Sequence, residues 1–401
     1  MKSNYKKLGS YIREVNVRNT ELKNCILLGV SVSKEFIPSI ANTVGTDFSK
    51  YKIVNKNQFT YIPDTSRRGD KIGIALLDKY DEALVSQAYT VFEIIDTNEL
   101  LPEYLMMWFR RPEFDRYARF KSEGSVREIF SWKELCNVEL PIPNIEKQKK
   151  IVTQYNQINE AIKIKESLNN NLEQQAQAIF KSWFVDFEPF GKEIPDNWET
   201  GTLEDITEFS NGYAFKSEDL FNEPFDDCYH VFKQGHIKKG GGFNYNGTKS
   251  WFPKNSVKLL DKFILKKGDI LMAMTDMKDN VAILGNTALM DVDNKYVVNQ
   301  RVGLLRSNYL KQISPYYIYL LTNSKDFVAD LRRRANVSVQ VNLSSDEIKA
   351  SKLLIPSEDV NIKFNSIITP IFEFLITNNK ECQKLIDLRD TLLPKLMLEN
   401  S

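Results

Sequence analysis

The stretch "LPIPNIEKQKKIV" (140–152) recurs in outline as "LLIPSEDVNIKFN" (353–365), a shift of 213 positions. In both, a Leu-x-Ile-Pro segment precedes a charged run of helix formers. Proline disfavours continuation of the preceding structure and suits the approach to a helix. Each copy therefore reads as the last strand of a globular domain, stopped by Pro143 or Pro356, followed by release of the chain into a helix.

Working outward, the same shift pairs Val85, Gln87, Pro102, Tyr104, Phe114, Arg119 and Glu134 with Val298, Gln300, Pro315, Tyr317, Phe327, Arg332 and Glu347. Beyond the proline it pairs Ile158 and Leu172 with Ile371 and Leu385. A gapless register of this length is what tandem duplication of a whole unit leaves. Upstream the register slips: "KNQFTY" (56–61) faces "KGDILM" (267–272) at a shift of 211. Each copy thus has a divergent front and a more faithful rear.

The rear reads as a long helix. Ile151, Tyr155, Ile158, Ile162, Leu172, Ile179 and Trp183 recur mostly at three- or four-residue steps. The second copy supplies Ile368, Ile371, Leu375, Leu385 and Leu392. Such seams are coiled-coil-like. A helix over 146–187 is about 60 Å long at 1.5 Å per residue, and packing the two antiparallel is the simplest way to bury both seams. Pro370 and Pro394 are expected to kink or end the second helix. Lys165 and Asn378 are matched polar positions within the seams. The front parts are mixed: "KFILKKGDILMAM" and "NKYVVNQRVGLLRS" read as strands, while "LPEYLMMWFRRPEFDRYARF" and "SPYYIYLLTNSKDFVADLRRR" each read as an amphipathic helix. The expected organisation is α+β: a globule over 1–143, a long helix over 144–190, a second globule over 191–356 and a second long helix over 357–401, with an internal pseudo-twofold repeat.

Composition excludes several classes. The chain has 401 residues, 42% hydrophobic and 27% charged, with a net charge of +1. The front segments 1–143 and 198–356 each carry 21 Lys and Arg against 19 Asp and Glu, too small an excess for strong nonspecific DNA binding. No stretch approaches the roughly 18 to 20 apolar residues of a membrane span, and the beginning lacks the apolar run of a secretion signal. A cytoplasmic location without membrane contact is expected. Cys25, Cys136, Cys228 and Cys382 are widely spaced, which fits reduced thiols.

Catalytic signatures are missing. In "GGFNYNGTKS" (241–250) Thr248 stands where a phosphate loop needs its lysine. Cys228, His230 and His236 match no usual zinc spacing. With two histidines in the chain and none in the first copy, duplicated histidine-dependent catalysis is excluded. Pro63-Asp64 and Pro195-Asp196 lack the downstream acid-x-Lys of metal-dependent nucleases, and no Asn-Pro-Pro-aromatic stretch is present to grip a flipped adenine. No catalytic residue and no metal ligand is assigned.

Basic and amide residues do gather in corresponding loops. The first copy offers Arg67, Arg68 and Lys71, then Ser125 and Arg127. The second offers Thr275, Asp276, Lys278 and Asn280, then Gln300 and Arg301, then Arg332 and Arg333 followed by Ser338 and Gln340. Arginine reads guanine edges and grips phosphate, while Asn and Gln pair with adenine. These are the candidate DNA contacts.

The order of variable domain, Leu-x-Ile-Pro and long helix, given twice, resembles the DNA-specificity subunit of type I restriction-modification enzymes over essentially the whole chain. "GDILMAMTD", "VNQRVGLL" and "LPIPNIEKQKKIV" are similar to that family's phrases. The resemblance implies two target-recognition domains, each reading half of a split site in double-stranded DNA. It also implies long helices packed as an antiparallel coiled coil, which dock two methylase subunits and set a constant unread spacer. Methylation, cleavage and translocation then belong to methylase and restriction subunits, which bring S-adenosylmethionine, ATP and Mg, and this chain binds no cofactor. The first copy departs from the pattern, with "SQAYTVF" where the second has "NQRVGLL". Two other readings stay open: a protein-binding scaffold built on a coiled-coil rod, and a self-sufficient DNA-modifying enzyme.

Overall fold

The computed structural model describes residues 5–40, 44–65, 71–122, 128–255, 258–277, 281–337 and 340–398. The chain folds as two compact units, Met1–Ile164 with Cys382–Ser401, and Lys165–Glu381. The division falls within the long helices, not at their ends, so each unit takes in part of both.

In the first unit a four-stranded antiparallel sheet runs in the order Ile12–Val15, Thr90–Ile94, Phe59–Tyr61, Ile74–Leu76. The second unit repeats that order with Thr207–Asn211, Val302–Ser307, Ile270–Ala273 and Thr287–Leu289. Phe59, Phe92, Ile270 and Leu305 are fully buried, and the second unit's sheet is covered on both faces: Ile270, Met272 and Leu305 join one core, whereas the alternate residues Leu271, Ala273 and Leu304 join another. The Leu-x-Ile-Pro segments are indeed each domain's last strand. Glu139–Pro141 pairs with Tyr5–Lys7, and Lys352–Ile355 pairs with Glu199–Thr202. One tyrosine locks each: Tyr104 Oη donates to Pro141 O (3.0 Å) and Tyr317 Oη to Leu354 O (3.3 Å).

A buried amide fixes the turn from strand to helix. Gln148 Nε2 donates to Pro143 O and Glu99 O, both at 2.8 Å. At the matching place Asn361 Nδ2 donates to Pro356 O (3.3 Å) and Lys311 O (2.9 Å).

The amphipathic stretches each form two helices, not one. Pro102–Phe109 and Pro112–Phe120 break before Pro112, where proline disfavours the helical conformation of its predecessor. Pro315–Thr322 and Lys325–Arg334 break at Asn323, whose side chain is drawn away to Thr287 N, O and Oγ1. The peripheral strands differ between the units. Lys52–Asn55 lies antiparallel to Glu82–Val85, whereas Cys228–Phe232 lies parallel to Tyr296–Val298.

The long helices span Ile145–Phe184 (40 residues) and Glu358–Leu398 (41 residues). The second runs through both prolines, and Pro370 is on its exposed face. Of the expected seam, Ile151, Tyr155, Ile162, Ile368 and Leu375 are buried, while Ile158, Leu172, Ile179, Trp183, Ile371, Leu385 and Leu392 are half-buried. In the second unit Ala176, Phe180 and Phe184 join Phe364, Ile368, Phe372 and Leu375 in one core. In the first, Ile151 and Tyr155 share a core with Leu393 and Met397. The chains run antiparallel: Phe184 meets Phe364, with ring centroids 4.7 Å apart, and Lys165 meets Asn378.

That last pair is a local twofold contact, since Lys165 and Asn378 are matched positions of the repeat. Lys165 Nζ donates to Asn378 Oδ1 (3.0 Å) and to Glu381 (2.6 Å), while Asn378 Nδ2 donates to Lys165 O (3.0 Å) and Asn169 Oδ1 (2.7 Å). Single polar layers in a seam specify register at a cost in stability. Asn378→Ala leaves buried partners unbonded and is expected to lower stability by about 1–3 kcal/mol, read by urea unfolding. A variant as stable as the parent would deny the layer that role.

Candidate nucleic-acid interface

One edge of each four-stranded sheet gathers the loops of interest. In the second unit, Asn211 pairs with Gly303 and Ala273 with Val302, so the end of one strand, the beginning of the next and the exit of a third share that edge. From there Thr275–Met277 pairs with Gln340–Asn342, carrying that segment to the same edge. Gln300, Arg301, Thr275, Asp276 and Gln340 are thereby brought together. The first unit builds the same edge from Val15, Thr90 and Tyr61.

At this edge some expected contacts are engaged by the fold. Asp276 accepts from Ile283 N (2.6 Å) and Leu284 N (3.1 Å). Arg332 Nε donates to Leu284 O (3.0 Å), and its Nη2 donates to Ala282 O (3.2 Å). A carboxylate and a guanidinium thus bracket the segment 282–284 from two elements. Lys278, Asn280 and Ser338 lie outside the described residues. Thr275 Oγ1 donates to Gln234 Oε1 (2.6 Å), so Gln234, absent from the sequence-based set, joins the edge; a lone amide in "FKQGH" gave no signal. Arg333 is exposed, with one 3.3 Å contact to Asp330. Gln300 and Arg301 are exposed.

In the first unit Arg67, Arg68, Ser125 and Arg127 lie outside the described residues. The flanks of both segments are bonded to each other: Thr65 N donates to Glu128 O (2.9 Å) and Phe130 N to Pro63 O (2.9 Å). Lys71 is exposed. The next residue is anchored, because Ile72 N donates to Asp115 Oδ1 (3.1 Å), which also takes Lys34 Nζ at 2.8 Å. Burial pulls the Lys34 ammonium below its usual range, and the Asp115 carboxylate opposes that pull.

The two histidines belong to an aromatic core. His230 stacks on Trp251 (5.5 Å, 16°) and meets His236 edge-on at 5.0 Å. Burial, with the neighbouring His236, pushes His230 down to about 4 from 6.5. Between those values an unfolded chain takes up the proton and the folded one does not. The stabilisation is therefore complete above pH 6.5 and is lost as pH falls toward 4. His230→Gln is expected to flatten the dependence of the thermal midpoint on pH in that window; an unchanged slope would assign the acid sensitivity to other groups.

The family model described as the type I restriction modification DNA specificity domain matches residues 4–174 and again 195–387. A type I restriction enzyme specificity subunit, MjaIX of Methanocaldococcus jannaschii, is 28% identical over 324 residues, covering 76% of this chain and 70% of that protein. The HindI specificity subunit of Haemophilus influenzae is 22% identical over 386 residues, covering 79% and 81%. In fold the chain is similar to the crystal structure of a type I restriction-modification S subunit from M. genitalium, with a TM-score of 0.54 at 17% identity, over 98% of this chain and 95% of that one. With the family's domain matched twice, once on each copy of the repeat, the chain belongs to the type I restriction-modification DNA-specificity family.

Proposed function

We propose that this chain is the specificity subunit of a type I restriction-modification complex, reading a bipartite DNA target with one half-site per recognition domain. The observation that carries this reading is the repeated sheet edge, one in each unit, with exposed amide and basic side chains on it. Lys71, Gln300, Arg301 and Arg333 contact bases and phosphates, together with Gln340 and with Arg67, Arg68, Ser125, Arg127, Lys278, Asn280 and Ser338, which lie outside the described residues. Thr275, Asp276 and Arg332 act one step back, Thr275 by bonding Gln234 and the other two by holding the segment 282–284. Two methylase subunits dock on the long helices, and restriction subunits complete the assembly in the cytoplasm. Among the described residues no helix is long and apolar enough to cross a membrane. S-adenosylmethionine, ATP and Mg are bound by those partners, where methylation and cleavage take place.

The test is a methylated-adenine map of DNA from cells making this chain with its methylase partner, against cells lacking only this chain. A split motif with a fixed gap, lost without the chain, is expected. An unchanged map, given an active methylase, would overturn the reading in favour of a protein scaffold.

A further inference from the structure

The second unit contains five arginines, at 301, 306, 332, 333 and 334. Arg306 is spent on Asp269, gripping both carboxylate oxygens at 2.9 and 3.0 Å. Arg332 holds backbone carbonyls, as described above. Arg334 donates to Glu347 O (2.6 Å) and Ser351 Oγ (2.8 Å) and pairs with Asp330. Arg333 pairs with Asp330 at the surface. Arg301 differs: its backbone is bonded, but its guanidinium has no partner among the described residues.

The backbone beneath Arg301 is held on every side. Val302 N donates to Asn299 O (2.9 Å), closing a tight turn, and Gln300 N donates to Tyr213 O (2.9 Å). Met274 N reaches Arg301 O (3.3 Å), while Arg301 N faces Asn299 Oδ1 (3.4 Å). Gly212 lies so close that a Cβ there would sit 2.2 Å from Asn299 O. A charged, exposed fork on a fixed support, beside the exposed amide of Gln300, is pre-organised for recognition at little ordering cost.

The first unit has the same turn at matching positions. Tyr89 N donates to Ser86 O (3.0 Å), and Ala88 N to Ser86 Oγ (3.3 Å). Ser86 stands for Asn299, and Gln87 for Gln300. Where the second unit has Arg301, the first has Ala88. Phosphate presents the same chemistry to both halves of a duplex target, whereas base edges differ between halves. A side chain present on only one of two equivalent turns therefore fits base readout.

Resting on the proposed function, we infer that Arg301 is a specificity-determining residue of the second domain, donating two of its guanidinium N–H groups to the O6 and N7 of a guanine in the major groove. The first domain has no equivalent reader at Ala88. The test compares methylated-adenine maps for the chain, Arg301→Ala and Arg301→Lys, each made with the methylase partner. Both variants are expected to lose the requirement for one G·C pair in one half-site, discrimination there falling on the order of 10- to 100-fold. The other half-site and the gap stay unchanged. Lysine fails because it keeps the charge but not the fork.

Binding by the assembled complex separates the alternatives. Uniform weakening across sequences, with a salt dependence shallower by about one ion and base preferences intact, would mark a phosphate contact and overturn the inference. An unchanged motif, or methylation lost at every site, would overturn it too. Absence of any split motif with the parent chain would instead defeat the proposed function itself.

Discussion

Replacing Phe364 by alanine is expected to lower the unfolding free energy by about 3–5 kcal/mol. Its ring is fully buried and lies 4.7 Å from Phe184, 5.8 Å from Trp183 and 6.1 Å from Tyr317. Those contacts tie both long helices to the helix Pro315–Thr322 within the second unit. No shift of one neighbour could refill a space bounded by large rings on several elements, so transfer and cavity terms add. Phe374, on the same helix, is 50% exposed, and its replacement by alanine is expected to change stability by no more than about 0.5 kcal/mol. Urea unfolding of the two variants checks both numbers. Equal losses would mean that the seam does not carry the second unit's stability.

Gly212→Ala is the second large effect. A Cβ there would stand 2.2 Å from Asn299 O, 2.4 Å from Asn299 C and 2.8 Å from Val298 O. All three are backbone atoms, which cannot rotate aside. The strand Thr207–Asn211 or the turn at 299–302 must move, at an expected cost of about 3 kcal/mol. The displaced turn is the one that presents Gln300 and Arg301, so half-site recognition should weaken along with stability. Gly29→Ala is the matched control, since its Cβ would meet Ile37 at an ordinary 3.8 Å. Equal stability of the two variants would show that the turn yields more readily than its bonding implies.

Much of this architecture was legible because duplication writes each element twice. The Leu-x-Ile-Pro strand, the release into a long helix and the antiparallel pairing follow from register, proline and apolar spacing. The pairing of Lys165 with Asn378 was legible as a matched position but not as a contact, because contact depends on where the two helices cross. Gln148 and Asn361 do the same work with different side chains, so identity did not reveal them. The parallel pairing of Cys228–Phe232 with Tyr296–Val298 was hidden because strand direction is a tertiary property of the divergent front segment.

At the candidate interface, residue type indicated the right loops and not the individual roles. Arg301 and Arg332 look alike as letters. One has an unpartnered guanidinium among the described residues, and the other satisfies backbone carbonyls at 3.0 and 3.2 Å. That difference is set by which loop packs beneath the side chain. Gln234 was missed for the same reason, since only the folded chain brings it to Thr275.

On the proposed function, each domain reads its own half of one DNA target. The most direct measurement is the methylated-adenine map of a chimera in which residues 8–138 are replaced by the corresponding segment of a related specificity subunit of known target, with the second domain and both long helices retained. One half-site is expected to change to the donor's, while the other half-site stays. Both half-sites changing together, or the original motif surviving intact, would contradict it.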